Sequence, residues 1–218
     1  MVSYFLDANV IADWVLMNSA LKNNKRIEDR INLIKSRQKD NAKLFYAWGL
    51  LESINKIKFK KCKFYTSFFA ISEVISVILD KVCMDVMFER QIPLKYWSKV
   101  RHDIVKDLSK ERLDEISYEV NQFYIHFLLG KLIRRIDSYG SKDYMQKDII
   151  NFISYGCDTP DAFLLSQAHY DGKCEIFISN DGTLFKLMKG KHDIEVINAQ
   201  MSCAKLELTS KKILDFMA

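Results

Sequence analysis

The sequence is poor in the two residues that most often interrupt regular structure. Its 218 residues include only 7 glycines and 2 prolines, which leaves little room for long loops or flexible linkers. Hydrophobic residues make up 49% of the chain, enough for one sizeable core. We therefore expect a compact, helix-rich chain and interpret residues 1–218 as a single domain.

The cysteines and histidines lack the spacing of a disulfide or metal framework. The five cysteines are odd in number and form no CxxC pair. The four histidines are scattered without a spacing typical of metal ligands. We expect neither a zinc site nor a disulfide framework, but inert thiols in a reducing cytosol. These residues are Cys62, Cys83, Cys157, Cys174, Cys203, His102, His126, His169 and His192.

Targeting and membrane-spanning segments are also missing from the sequence. The N-terminus lacks the basic segment and apolar core of a signal peptide. No run approaches the roughly 18 to 20 apolar residues of a membrane span. We expect a cytoplasmic protein without a membrane partner. The formal net charge of +5 suits a polyanionic partner, but ordinary solubility explains it equally well.

Short apolar runs separated by helical patterns indicate an α/β protein. Four runs predict strands, at residues 3–7, 61–67, 174–181 and 194–198. Strands that alternate with helices imply a mainly parallel sheet covered on both faces. The expected fold is a three-layer α/β/α arrangement with a sheet of four or five strands.

Apolar residues at three-and-four spacing predict the helices. The pattern over residues 26–57 is expected to break near Asp40. The longest helix is predicted over 111–136, with Arg134 and Arg135 at its end.

The stretch "DTPDAFLLSQAHYDG" predicts a further helix. Thr159 suits the N-cap, Pro160 the first helical position and Gly172 the C-terminal stop.

Four acidic residues stand at the carboxyl ends of predicted strands or early in the helices that follow. Parallel strands joined by right-handed crossovers point their carboxyl ends to one edge, so these side chains could converge. Each acid also has a purely structural explanation, as a helix cap, a macrodipole partner, a turn residue or a solvated helix position. The four acids are Asp7, Glu73, Asp161 and Asp181.

Convergence of the four carboxylates would require a cation. Two carboxylates about 4 Å apart repel by roughly 4 kcal/mol at an effective dielectric near 20. Four of them in one pocket must therefore be partly protonated or bind a metal. An all-oxygen site selects Mg²⁺ or Mn²⁺, ions that activate water and neutralise phosphoryl oxygens.

The segments "FLDANVI", "TSFFAISEV", "DTPDAFLLSQA" and "FISNDGTLF" resemble, in this order, the acidic motifs of PIN-domain nucleases. The resemblance covers the first two strand–helix units and roughly residues 157–198. It implies metal-dependent RNA cleavage on a Rossmann-like sheet, with the four acids as catalytic metal ligands and Mg²⁺ or Mn²⁺ as cofactor. It also implies polar support from Asn9, Thr66 or Ser67, and Asn180.

The chain departs from the family pattern in two ways. Many members carry another acid just past the last motif, where this chain has Gly182, Thr183 and Leu184. The resemblance therefore leaves open whether the site binds one metal ion or two. The chain is also longer than the toxin nucleases of toxin–antitoxin pairs, with helical insertions at about 18–60 and 93–155. These could form a homodimer surface, a groove for an inhibitory antitoxin-like protein or a substrate lid.

Clustered cations provide candidate contacts to RNA phosphates. Lys186 and Lys189 are the better candidates, because their helix starts beside the last acidic motif. Lys61 and Lys63 belong to a basic run over 56–63, for which solvation or protection of a strand edge is the alternative.

Two other classes of protein compete with a metal-dependent ribonuclease. One is a PIN-fold scaffold that binds RNA or protein with little catalysis. The other is phosphotransfer on a different α/β fold. A haloacid-dehalogenase-type phosphatase would need a second aspartate at the position of Asn9, and a response-regulator receiver would need an acidic pair before the first strand.

Overall fold

The computed structural model describes residues 1–24, 26–136, 142–170 and 172–216, except the side chains of residues 27 and 142–145. A five-stranded parallel sheet lies between two layers of helices, which confirms the predicted three-layer fold. The strands are β1 (Val2–Leu6), β2 (Cys62–Ser67), β3 (Arg134–Ile136), β4 (Ile176–Ile178) and β5 (Glu195–Ile197).

Helices occupy most of the connections between strands. A 3₁₀ turn (Leu94–Tyr96) and a π-helical turn (Tyr124–Leu129) accompany them. The helices are α1 (Ala8–Asn23), α2 (Ile27–Asp40), α3 (Ala42–Lys56), α4 (Phe68–Glu89), α5 (Trp97–Asp107), α6 (Lys110–Phe123), α7 (Lys142–Ser154), α8 (Thr159–Tyr170), α9 (Gly182–Met188), α10 (Ala199–Lys205) and α11 (Ser210–Asp215).

The sheet order β3-β2-β1-β4-β5 puts β1 at the centre. Successive side chains of β1 point to opposite faces, so Tyr4 and Leu6 enter one core cluster while Phe5 enters a second one. Phe5 stacks on Phe177 of β4 with ring centroids 5.2 Å apart. Because all strand pairs are parallel, the carboxyl ends of the strands share one edge.

The four strands predicted from sequence are confirmed as β1, β2, β4 and β5. The predicted helix break near Asp40 is confirmed as well. Asn41 separates α2 from α3, and its side chain accepts a hydrogen bond from the backbone N–H of Leu44 (3.4 Å). This residue ends one helix and caps the next.

The prediction of one helix over 111–136 is wrong at its C-terminal end. The π-helical turn is followed by Lys131, whose φ of 56° is left-handed. Arg134 and Arg135 then lie in the edge strand β3, where they pair with β2. Their apolar neighbours fit a helical pattern locally, but pairing with β2 supplies the backbone hydrogen bonds of a strand. The insertion predicted over 93–155 is therefore not wholly helical.

The predicted start of α8 is displaced by one residue. The Asp158 side chain accepts a hydrogen bond from the N–H of Asp161 (2.9 Å), so Asp158 rather than Thr159 caps the helix. Thr159 becomes the first helical residue and Pro160 the second. A carboxylate one position earlier reaches the free N–H of the first turn.

In the described ranges, no helix combines the length and apolar character needed to cross a bilayer. The five cysteines are free thiols, and Cys62 is the one that is only half-buried.

Candidate metal centre

Asp7 lies directly after β1 and caps α1. Its Oδ1 accepts from the N–H of Ala8 (2.7 Å), while its Oδ2 accepts from Ser179 Oγ (2.6 Å) and Asn9 Nδ2 (3.2 Å). Only 2% of Asp7 is exposed. Burial raises its pKa, and these hydrogen bonds offset part of that rise. Asp7 is thus both a helix cap and a buried carboxylate at the carboxyl edge of the sheet.

Asp161, in the first turn of α8, lies among other acids. Its pKa is raised to about 7, chiefly by burial and then by the charges of Asp7, Asp158, Asp181 and Glu73. The other four carboxyl groups therefore lie within electrostatic reach of Asp161.

Glu73, in the second turn of α4, shares this environment. Its pKa is also raised to about 7, first by burial and then by the charges of Asp7 and Asp158. Helices that follow β1 and β2 thus deliver acids to the same region as α8. Without a cation, the pocket favours partial protonation near neutral pH.

Asp181 follows β4 and caps α9. Its Oδ1 accepts from the N–H groups of Thr183 (2.6 Å) and Leu184 (3.2 Å). The cap uses only one carboxylate oxygen. Its charge nevertheless contributes to the raised pKa of Asp161, so capping and membership of the acidic pocket coexist here.

The predicted supporting residues have separate roles. Asn9 donates directly to Asp7. Thr66 donates to the carbonyl of Leu6 (3.0 Å), which fixes the end of β1. Ser67 caps α4 by accepting from the N–H of Ala70 (3.1 Å).

Asn180 is turned towards a residue that the sequence did not single out. Its Nδ2 donates to Asp13 Oδ2 (2.6 Å), and its Oδ1 accepts from the N–H of Ala199 (3.1 Å). Asp13 is only 3% exposed and forms an ion pair with Lys81 of α4. A charged residue within the apolar helix α1 was the available signal.

Ser179 is a second residue missed from the sequence. It donates to Asp7 and accepts from the N–H of Asp181 (3.1 Å). This hydroxyl therefore links two of the four predicted acids. A small polar residue at a strand end gives no distinctive signal in a sequence.

A cleft of about 420 Å³ is lined by Asp181 but not by the other three predicted acids. Its walls come from α1, the start of α3, α4 and the start of α9. Buried Asp13 and its partly exposed partner Lys81 line this cleft together with Asn9 and Asp181, and Lys43 contributes a further cation. The cleft thus holds two lysines and one of the four predicted acids.

The four candidate RNA-binding lysines fall at two places. Lys61 precedes β2 and Lys63 lies within it near its amino end, whereas the acids lie at the carboxyl end. Lys186 is in α9 and Lys189 follows it, so both belong to the element capped by Asp181. Their position therefore favours Lys186 and Lys189 as the candidate RNA contacts.

The oxygen donors of the acidic pocket suit Mg²⁺ or Mn²⁺. Within the described ranges, however, these acids form no group of three whose ligand atoms all lie within 4.8 Å of one another. A group that close is formed instead by Asp148, His169 and His192. The expectation that the histidines are scattered did not anticipate this cluster.

Comparison with known proteins gives family membership but no activity. No family model matches the chain. A segment of 99 residues, 44% of the chain, is 37% identical to an uncharacterized protein from Archaeoglobus fulgidus, and the match covers 77% of that protein. The chain therefore belongs to the same family as this archaeal protein.

Proposed function

We propose that this chain is a divalent-metal-dependent endoribonuclease of the PIN type. The observation that carries the proposal is the grouping of acids in a partly buried pocket. Burial raises the pKa values of Glu73 and Asp161 to about 7, and the charge of the buried Asp7 nearby contributes next to both rises. Such a pocket loses electrostatic repulsion when it binds a hard cation.

Asp7, Glu73, Asp161 and Asp181 would hold the cation, and hydrogen bonds already orient two of them. Ala8 and Ser179 fix the carboxylate of Asp7, and Thr183 and Leu184 fix Asp181. A bound Mg²⁺ or Mn²⁺ supplies a lowered pKa for coordinated water and neutralises phosphoryl oxygens.

Glu73, whose pKa is about 7 in the metal-free pocket, would ionise when the cation binds. The attacking water would be one that the cation holds, because the four acids serve as its ligands. The water oxygen would bond to phosphorus, the bond from phosphorus to the leaving ribose oxygen would break, and the proton lost by the water would pass through solvent to that ribose oxygen. The anionic backbone on either side would contact Lys43 and Lys81 in the adjoining cleft.

The experiment is cleavage of a labelled single-stranded RNA in Mg²⁺, in Mn²⁺ and in EDTA. Asp7→Asn should retain the cap on Ala8 but remove the charge, so cleavage should be lost while the fold remains. Asp103→Asn, which removes an exposed carboxylate from α5, is the matched control. Undiminished cleavage by Asp7→Asn would rule out this mechanism.

The scaffold alternative makes a different prediction for the same protein. A PIN-fold scaffold would bind the RNA without cleaving it and would need no Mn²⁺ at the acidic pocket. Calorimetric titration with Mn²⁺, compared between the natural chain and Asp161→Asn, separates the two functions. The nuclease requires Mn²⁺ binding that weakens in Asp161→Asn.

A further inference from the structure

Three side chains from separate elements meet away from the acidic pocket. Asp148 comes from α7, His169 from the last turn of α8, and His192 from the turn before β5. His169 Nδ1 lies 2.8 Å from Asp148 Oδ2, and His192 Nε2 lies 3.5 Å from Asp148 Oδ1. The three ligand atoms all lie within 4.8 Å of one another.

Asp148 is a buried carboxylate, only 4% exposed. No lysine or arginine of the described residues forms an ion pair with it. Its ion-pair partners among those residues are the two imidazoles. Burying a carboxylate is costly unless a positive charge or a metal ion compensates for it.

We propose that Asp148, His169 and His192 form a second metal site, which takes Zn²⁺ or a similar transition-metal ion. Two imidazoles and one carboxylate suit zinc, whereas Mg²⁺ prefers oxygen alone. In a tetrahedral site with ligands at about 2.0 to 2.1 Å, neighbouring ligand atoms lie roughly 3.3 Å apart. The separations of 2.8 and 3.5 Å run to the two different oxygens of Asp148, and one ligand atom from each of the three residues lies within 4.8 Å of the others. Small side-chain rotations would bring these three atoms to the tetrahedral spacing.

The surroundings provide both a wall and an entry route. The ring of Phe152 packs against His192 with centroids 4.7 Å apart, and the side chain of His192 is 12% exposed. The side chain of His169 is 30% exposed. An ion can therefore reach the site from the side of His169, and water can fill a fourth coordination position there.

Zinc binding requires both imidazoles to change tautomer. In the metal-free protein, the N–H of Ile194 donates to His192 Nδ1 (3.2 Å), which places the proton of neutral His192 on Nε2. When Nε2 binds the ion, the proton moves to Nδ1 through solvent, and Ile194 loses its acceptor. The proton of His169 likewise moves from Nδ1 to Nε2. Protons are conserved overall, but the lost hydrogen bond weakens affinity.

This site and the acidic pocket lie at opposite ends of α8. Asp161 is in the first turn of the helix and His169 in the last. Eight residues of helix separate them by about 12 Å. An ion at the second site would tie α7, α8 and the turn before β5 together, so its role would be to fix these elements. Binding of an ion at this second site requires no nuclease activity.

The test uses the full chain stripped of metal, without RNA. Co²⁺ is added as a spectroscopic probe and then displaced by Zn²⁺, in excess Mg²⁺ so that the acidic pocket is occupied. We expect one equivalent of Co²⁺ with the visible absorption bands of nitrogen ligation. His169→Ala and His192→Ala should each weaken binding by more than about tenfold. His102→Ala and His126→Ala remove exposed histidines outside the cluster and should not weaken it.

Asp148→Asn keeps the shape of the side chain while removing its charge, so an effect on Co²⁺ binding in this variant does not come from altered packing. Circular dichroism identifies any variant that fails to fold. Weakened Co²⁺ binding in folded Asp148→Asn supports the site. Absence of Zn²⁺ and Co²⁺ binding at micromolar concentrations in the natural chain overturns it, as does unchanged binding in His192→Ala.

Discussion

Ser179 donates its hydroxyl proton to Asp7 Oδ2 over 2.6 Å, although 172 residues separate the two in the chain. The contact joins the end of β4 to the end of β1 at the centre of the sheet. Ser179 also accepts from the backbone N–H of Asp181. One hydroxyl thus orients the most buried acid and the residue that caps α9.

The first prediction concerns Ser179→Ala. The Ser179 hydrogen bond lowers the pKa of Asp7 against the effect of burial, so its loss should raise that pKa further. The acidic limb of the pH profile of kcat/KM should move to higher pH, and Mn²⁺ affinity should fall about tenfold. Ser72→Ala, on the exposed side of α4, is the control. An unchanged pH profile would show that Ser179 does not act on Asp7.

The second prediction concerns stability of the metal-free protein and pH. The pKa of Asp161 rises from an ordinary value of 3.8 to about 7 on folding. The folded state therefore binds more protons at this residue between about pH 4 and pH 7, and its contribution to the free energy of unfolding falls as pH rises through that window. Below pH 4, Asp161→Asn and the natural chain should have equal free energies of unfolding.

Above pH 7, Asp161→Asn should be more stable by about 1 to 2 kcal/mol, after allowance for its partial exposure. Urea unfolding at a series of pH values measures the difference. Mn²⁺ should remove it by stabilising the natural chain. A difference that does not change with pH would contradict the electrostatic explanation.

The third prediction concerns the ion pair between buried Asp13 and partly exposed Lys81. Lys81→Met would leave Asp13 without its cation, although Asn180 would still donate to it. We expect a loss of about 2 to 3 kcal/mol in the free energy of unfolding, since Lys81 is partly exposed. Adding Asp13→Asn to Lys81→Met should restore most of the lost free energy of unfolding. Equal stabilities for all three proteins would mean that the pair contributes nothing.

The fourth prediction separates the two pairs of candidate RNA-binding lysines. Removing Lys186 and Lys189 together should weaken single-stranded RNA binding in EDTA. The slope of log K against the logarithm of the salt concentration should become shallower by about 1.4, the value for two phosphate contacts on a single strand. Removing Lys61 and Lys63 takes the same charge from the opposite end of the sheet and should have little effect. Fluorescence anisotropy at several salt concentrations decides between them, and a larger effect at Lys61 and Lys63 would reverse the assignment.

Local patterning predicted four of the five strands but not the edge strand β3. Four strands carry apolar runs whose length and flanking residues differ from those of helices. The three residues of β3 follow a long helical pattern, and only pairing with β2, far earlier in the chain, makes them a strand. The left-handed turn at Lys131 was not predictable either, because no glycine occupies that position.

The acidic pocket was predictable because topology alone brings strand ends together. The residues that orient the acids were not, since long-range packing decides their contacts. Asp13 contacts Lys81, which lies 68 residues away in the chain. Asn180 donates its side-chain hydrogen bond to Asp13 rather than to Asp7. The histidine cluster is similar: Asp148 and His169 are 21 residues apart, a spacing that matches no short metal motif.

The central claim is that distant carboxylates share one hard cation at the carboxyl edge of the sheet. Anomalous diffraction from crystals soaked in Mn²⁺ tests it most directly, because it locates the ion and its ligands together. A manganese peak coordinated by Asp7 and Asp161 is the predicted result. Crystals saturated with Mn²⁺ that have no peak at these residues, or a peak only beside Asp148, would contradict it.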